Sequence, residues 1–151
     1  MNFSRFLNYA HWANTRALEM LRANPHVEAK ALSLFAHLLA TEHLWLCRLQ
    51  NRNPDMAIWP ELGLDECEKL LEMNFAGYRE YFKNLNSKAL NAIIDYQTTK
   101  GVRHRTPVSD VLAHVFGHGQ YHRGQLANSV QRCAGQVTDT DYITFVREIP
   151  E

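Results

Sequence analysis

The chain has 151 residues, the length of one domain, with 16 Lys plus Arg against 16 Asp plus Glu and no formal net charge. That balance argues against a polyanion or nucleic-acid partner, and 46% hydrophobic residues with 7 Gly and 5 Pro exclude a disordered or collagen-like chain. No apolar run is long enough for a membrane span, and the opening MNFSRFLNYAHWAN lacks the layout of a signal peptide, so a cytoplasmic location is expected.

Four helices are predicted. The first, about Phe3 to Arg22, carries Phe6, Tyr9, Ala13, Ala17, Met20 and Leu21 at helical spacing, with Pro25 beyond its end. The second, about Glu28 to Gln50, is rich in Leu and Ala and closes at Asn51-Arg-Asn-Pro54. The third, about Asp65 to Leu85, has Asp65 as its expected N-cap. Next, Ile93–Tyr96 and Val102–Arg105 flank Thr-Thr-Lys-Gly, a pattern that predicts a β-hairpin turning near Gly101. The fourth helix, about Val108 to Cys133, follows Thr106-Pro107 and stops before Gly135. The tail from Thr138 is expected to fold back over one end of the bundle. One all-α four-helix-bundle domain over residues 1–151, with a small hairpin between its third and fourth helices, is the predicted architecture.

Cys47, Cys67 and Cys133 are odd in number and far apart, which indicates neither a disulfide framework nor a zinc knuckle. Histidine is the unusual feature: five of the 8 fall within 37–43 and 114–122. In His114-Val-Phe-Gly-His118-Gly-Gln-Tyr-His122 the rings recur every fourth residue. At about 100° per residue they share one stripe beside Val111, Val115 and Leu126. Two His at i, i+4 can chelate a divalent ion, and a tight site needs a further ligand. The second helix offers His37 and His43, on opposite sides of its apolar arc, and spacing alone does not choose between them. No Glu follows the first His of the stripe, so a zinc-protease motif is absent. Gly117, Gly119 and Gly124 each cost about 1 kcal/mol in a helix, which suggests a close neighbour or room for a ligand.

Trp12 and Trp45 read as core packing, and Glu42 and Arg48 as solvated charges. Tyr121 and Arg123 read as surface or dimer contacts, Lys100, Arg103, His104 and Arg105 as a solvated turn. Gln125 is placed to orient a ligand ring or a water.

These segments together resemble the DinB-like (YfiT-like) family, four-helix bundles classed as metalloenzymes. The resemblance rests on Tyr9-Ala-His-Trp12-Ala13-Asn14, on His37-Leu-Leu-Ala-Thr-Glu42-His-Leu-Trp45, on His114 through Gln125, and on Thr138-Asp139. It implies an up-down-down-up bundle with a long crossover at 51–64, and a homodimer. It also implies a site for a divalent metal ion, nickel or zinc, held by His37, His118 and His122. His43 is the weaker candidate, and His114 a supporting or packing residue. Three imidazoles leave a position for water or a substrate thiolate. The expected function is therefore a metal-dependent thiol S-transferase or related hydrolase acting on a small molecule, with a low-molecular-weight thiol as co-substrate. No catalytic side chain is singled out. The alternatives are a non-catalytic, stress-associated metal-binding or protein-interaction bundle, and a degenerate site on a structural fold.

Overall fold

The computed structural model describes residues 2–98 and 100–150. Its elements run α1 (Phe3–Ala23), α2 (Ala29–Leu49), α3 (Leu64–Phe82), α4 (Ser87–Leu90), β1 (Ile93–Gln97), β2 (Arg103–Pro107), α5 (Val108–Arg132) and α6 (Tyr142–Glu148). α1, α2, α3 and α5 form the bundle: α2 packs on α3 and α5, and α1 on the same two helices. The α1 N-terminus is closed by Asn2, whose side chain accepts from the Arg5 N–H at 3.0 Å. α3 begins one residue before the expected cap. Gly63 is its N-cap, and the Glu66 carboxylate accepts from the Gly63 N–H at 2.7 Å. It also ends earlier than predicted, at Phe82, and the one-turn α4 was not foreseen.

Helix α2 explains the architecture. Every residue from Phe35 to His43 is buried, which no single apolar stripe can achieve. The helix is covered by α3, by α5 and by the connection 50–63. Phe35, Leu38 and Leu39 supply apolar core on this helix, each contributing about 1.5–3 kcal/mol by burial. The four polar residues in the run must find hydrogen bonds or remain costly, and they build the chemistry described below.

The hairpin pairs antiparallel in the register Ile93↔Pro107 to Gln97↔Arg103, close to the predicted strands. Gly101 supplies the turn with φ 77°, its N–H donating to the Thr98 carbonyl at 2.9 Å. Thr99, part of the predicted turn, lies outside the described residues. The tail forms α6 on α1, where Phe145 packs on Tyr9 and Trp12 with ring centroids 5.7 and 5.6 Å away. Arg16 Nε donates to the Asp139 carbonyl and Tyr9 Oη to that of Thr140, both at 2.9 Å.

α5 ends at Arg132, before Gly135 as expected. The left-handed residue is Ala134 (φ 54°), and Gly135 is required for a different reason. A Cβ there would sit 2.4 Å from Asn24 Oδ1, the atom that accepts from the Gln136 N–H.

Candidate metal centre

His37 on α2 and His118 and His122 on α5 converge, with one ring nitrogen of each lying within 4.8 Å of the other two. The ring centroids of His118 and His122 stand 4.3 Å apart, and that of His37 lies 5.5 and 5.0 Å from them. The helix period places His118 and His122 one turn apart, and the packing of α2 on α5 brings in the third ring.

Hydrogen bonds set the tautomers. His37 Nδ1 donates to the Ile58 carbonyl at 2.8 Å, because a carbonyl can only accept, and His122 Nδ1 donates to Gln125 Oε1 at 2.9 Å. In the neutral form of either ring Nε2 is therefore the lone pair. His122 Nε2 faces His118 Nε2 at 3.0 Å, so a proton or a cation must lie between them. That separation is one polyhedron edge of a divalent ion: about 3.0 Å for ligands at 90° and about 3.4 Å for tetrahedral ligands, with bonds of about 2.1 Å. The donor chemistry fits a metal ion.

Electrostatics agree. Burial, then the neighbouring His122, His114 and His37, push the His118 pKa down to about 4. Burial also lowers His37. Both rings are neutral at pH 7 and able to ligate. Trp59, itself 57% exposed, stacks on His37 with ring centroids 3.7 Å apart and planes 7° apart. No fourth His, Cys, Asp or Glu among the described residues joins the cluster.

The remaining sequence candidates separate. His114 is exposed, with burial of its ring edge lowering its pKa, and it packs edge-on to Trp45 at 5.4 Å. His43 is buried but points to α3, where its Nδ1 lies 3.1 Å from Asn74 Oδ1. Gln125 Oε1 accepts from the His122 ring and so fixes its orientation. Gly117 and Gly124 border open space rather than a close neighbour, whereas a Cβ at Gly119 would meet Arg123 Nη1 at 3.0 Å.

Two charge readings are corrected. Glu42 and Arg123 are 8% and 2% exposed and belong to one buried network. Arg123 Nη1 donates to Asn14 Oδ1 at 2.8 Å, and Asn14 Nδ2 donates to Glu42 Oε1 at 2.9 Å. Arg123 Nη2 donates to Tyr9 Oη at 3.2 Å. Burial pushes the Glu42 carboxyl up to about 7 against the pull of Asn14 and Arg123. The network ties α1, α2 and α5 together through Arg123, the residue that follows His122 in α5. The Tyr9, Asn14, Glu42 and Arg123 set went unread because its members lie far apart in sequence. The only signal available was a charged residue on an otherwise buried helix face. Arg48 is likewise not free: it lies over the rings of Trp45 and Tyr96 at 4.5 and 4.6 Å and donates to the Gln97 carbonyl. Tyr121 is 64% exposed, as a surface residue should be. Trp12 and Trp45 are half-buried and pack against the edges of the core, Trp12 also on α6 and Trp45 on the hairpin.

A cavity of about 610 Å³ at the C-terminal end of α2 is lined by Arg48, Arg52, Tyr96, Arg103 and His104, and by none of the three converging His.

The bundle and its His cluster define a helical protein with a site that could hold a metal ion. The DinB family model matches residues 1–149, and the chain belongs to the DinB family. No curated protein and no solved structure matched it. No helix among the described residues is long and apolar enough to cross a membrane.

Proposed function

We propose that this DinB-family chain is a metal-dependent enzyme of the thiol S-transferase or hydrolase type, with His37, His118 and His122 as the ligands. The observation that carries this reading is the pair of Nε2 atoms 3.0 Å apart, joined by a third imidazole and by no fourth His, Cys, Asp or Glu among the described residues. A closed structural site would fill its coordination from the protein. All-nitrogen ligation favours nickel or zinc over harder ions. Bound there, a divalent ion supplies Lewis acidity, which favours the deprotonated form of a thiol or water entering the remaining positions.

The chain's own residues do the positioning. The Ile58 carbonyl and Gln125 Oε1 hold His37 and His122 in the tautomer that leaves Nε2 free. Trp59 shields His37 on one face. Thr41, one turn after His37, carries a buried hydroxyl without a hydrogen-bond partner among the described residues. No acidic base is needed if the nucleophile is a low-molecular-weight thiol, and Glu42 is committed to Asn14. A cytoplasmic homodimer completes the proposal; light scattering that finds only a 17.5 kDa particle at all concentrations would refute the dimer.

The test is a screen of electrophiles with several low-molecular-weight thiols, and of hydrolysable esters and amides, on metal-loaded and chelated protein. Turnover abolished by chelation and by His118→Ala is expected. Turnover unaffected by both, or none with any pair, would leave the non-catalytic metal-binding bundle as the better account.

A further inference from the structure

A second donor cluster lies on the opposite side of α2. His43 Nε2 stands 2.7 Å from Asp55 Oδ1 and 3.5 Å from Cys47 Sγ, and the three donor atoms lie within 4.8 Å of one another. None of these residues touches the three-His site: His37 faces α5, whereas His43 faces Asn74 of α3.

The cluster is oriented from behind. Asn74 Nδ2 donates to the Leu39 carbonyl at 2.9 Å, so Asn74 Oδ1 is the end turned to His43, and it accepts the proton on Nδ1. The free position of the ring is then Nε2, and that atom faces a carboxylate and a thiol. A neutral lone pair at 2.7 Å from a carboxylate oxygen is repulsive unless a proton or a cation lies between them. Main-chain geometry supplies the third ligand. α2 ends at Leu49, Asn51 adopts φ 54°, and the Arg52 N–H donates to the Cys47 carbonyl at 2.8 Å. The chain is turned back on itself, which sets Asp55 over the turn of helix that carries His43 and Cys47. His43 and Cys47 are buried and Asp55 is exposed, so the cluster is walled on the helix side and open to solvent on the loop side.

From this geometry we propose that His43, Cys47 and Asp55 form a second metal site, suited to Zn²⁺ and independent of the three-His site. The distances support it: with bonds of about 2.3 Å to sulfur and about 2.05 Å to nitrogen, a tetrahedral edge is about 3.5 Å, the separation of Cys47 Sγ and His43 Nε2. Asp55, on an exposed loop, needs to withdraw by about 0.7 Å from its 2.7 Å separation to match the corresponding oxygen–nitrogen edge of about 3.4 Å. A thiolate with an imidazole selects a borderline-soft ion over Mg²⁺ or Ca²⁺. On binding, the Cys47 S–H bond gives its proton to solvent, and so does Nε2 if it carries one; no electrons move. One thiolate and one carboxylate neutralise the ion's two charges, and water completes the coordination. The competing account is a simple imidazolium–carboxylate pair with a bystander thiol.

Co²⁺ distinguishes the two, because only a sulfur ligand gives a strong near-ultraviolet thiolate-to-cobalt charge-transfer band. Reduced, metal-free protein titrated with Co²⁺ should take up two equivalents, one with that band and one without. His37→Ala should remove the equivalent that lacks the band and leave the band intact. Cys47→Ala should remove the band, and Asp55→Asn should weaken the sulfur-ligated equivalent by about tenfold or more. Asp55 is exposed, so its variant remains decisive even if Cys47→Ala fails to fold. Absence of the band in the wild type, its persistence in Cys47→Ala, or an unchanged titration in Asp55→Asn would each overturn the site. Any of these could fail while the three-His site still fills, so this inference and the proposed function are tested separately.

Discussion

Glu42→Gln should flatten the pH dependence of stability by a predictable amount. The Glu42 carboxyl is raised from an ordinary 4.5 to about 7 in the fold, chiefly by burial. A folded value above the unfolded one means that the folded state binds more protons. The stabilisation is complete below about 4.5 and is lost as pH rises through about 7. Between pH 5.5 and 8 the linkage integral gives a loss of about 2 kcal/mol. At about 2–4 °C per kcal/mol for a chain of this size, the melting temperature falls by about 4–8 °C. Gln keeps an oxygen for the Asn14 amide but cannot titrate. It also leaves the buried Arg123 charge without an anion at every pH, as the protonated wild-type carboxyl does below about 7. His37, His114 and His118 have lowered values, so their stabilisation is present above about 6.5 and is lost as pH falls. That opposite trend is common to both proteins and cancels in their difference. The assay is urea unfolding of metal-free wild type and variant at pH 5.5 and 8, in chelator. Parallel curves, with the difference changing by under about 0.5 kcal/mol, would refute a titrating buried Glu42.

Other consequences follow from the same geometry. In a Cys47→Ala background, which lacks the thiolate of the second site, one equivalent of Ni²⁺ or Zn²⁺ per chain should be lost when His37→Ala, His118→Ala or His122→Ala is added and retained with His43→Ala, as elemental analysis would read; full occupancy with His37→Ala and loss with His43→Ala would reverse the ligand assignment. In the same background, metal should also raise the melting temperature and should not do so once His122→Ala is added, since a ligand that binds only the folded state stabilises it. Gln125→Leu removes the acceptor that fixes His122 and should weaken metal affinity by about 10–100-fold without unfolding the chain, as isothermal titration would read. Ala134→Gly relieves a positive φ and should stabilise by about 1 kcal/mol, whereas Gly135→Ala drives a Cβ into Asn24 and should destabilise; thermal melts of the pair decide whether the two roles are as described.

The periodicities of α1, α2, α3 and α5, the hairpin around Gly101 and the His118/His122 pair are local properties, and the sequence determined them alone. Helix capping and i, i+4 spacing act within a few residues, so they can be read without knowing what packs where. Choosing between His37 and His43 is a different matter. Both lie on α2, and only the placement of α5 on one side and α3 on the other sends one ring to His122 and the other to Asn74. The burial of Glu42 and Arg123 was equally a tertiary decision. A charged residue reads as solvated until its partners, here Asn14 and Tyr9 from α1, arrive from far along the chain. Asp55 and Ile58 show the same for a segment without periodicity: the turn at Asn51 lays it over α2, where one backbone carbonyl fixes His37 and one carboxylate meets His43. Short-range spacing thus set which residues could act, and the covering of α2 on every side decided which of them do, because a buried polar group must take whatever partner the fold brings to it.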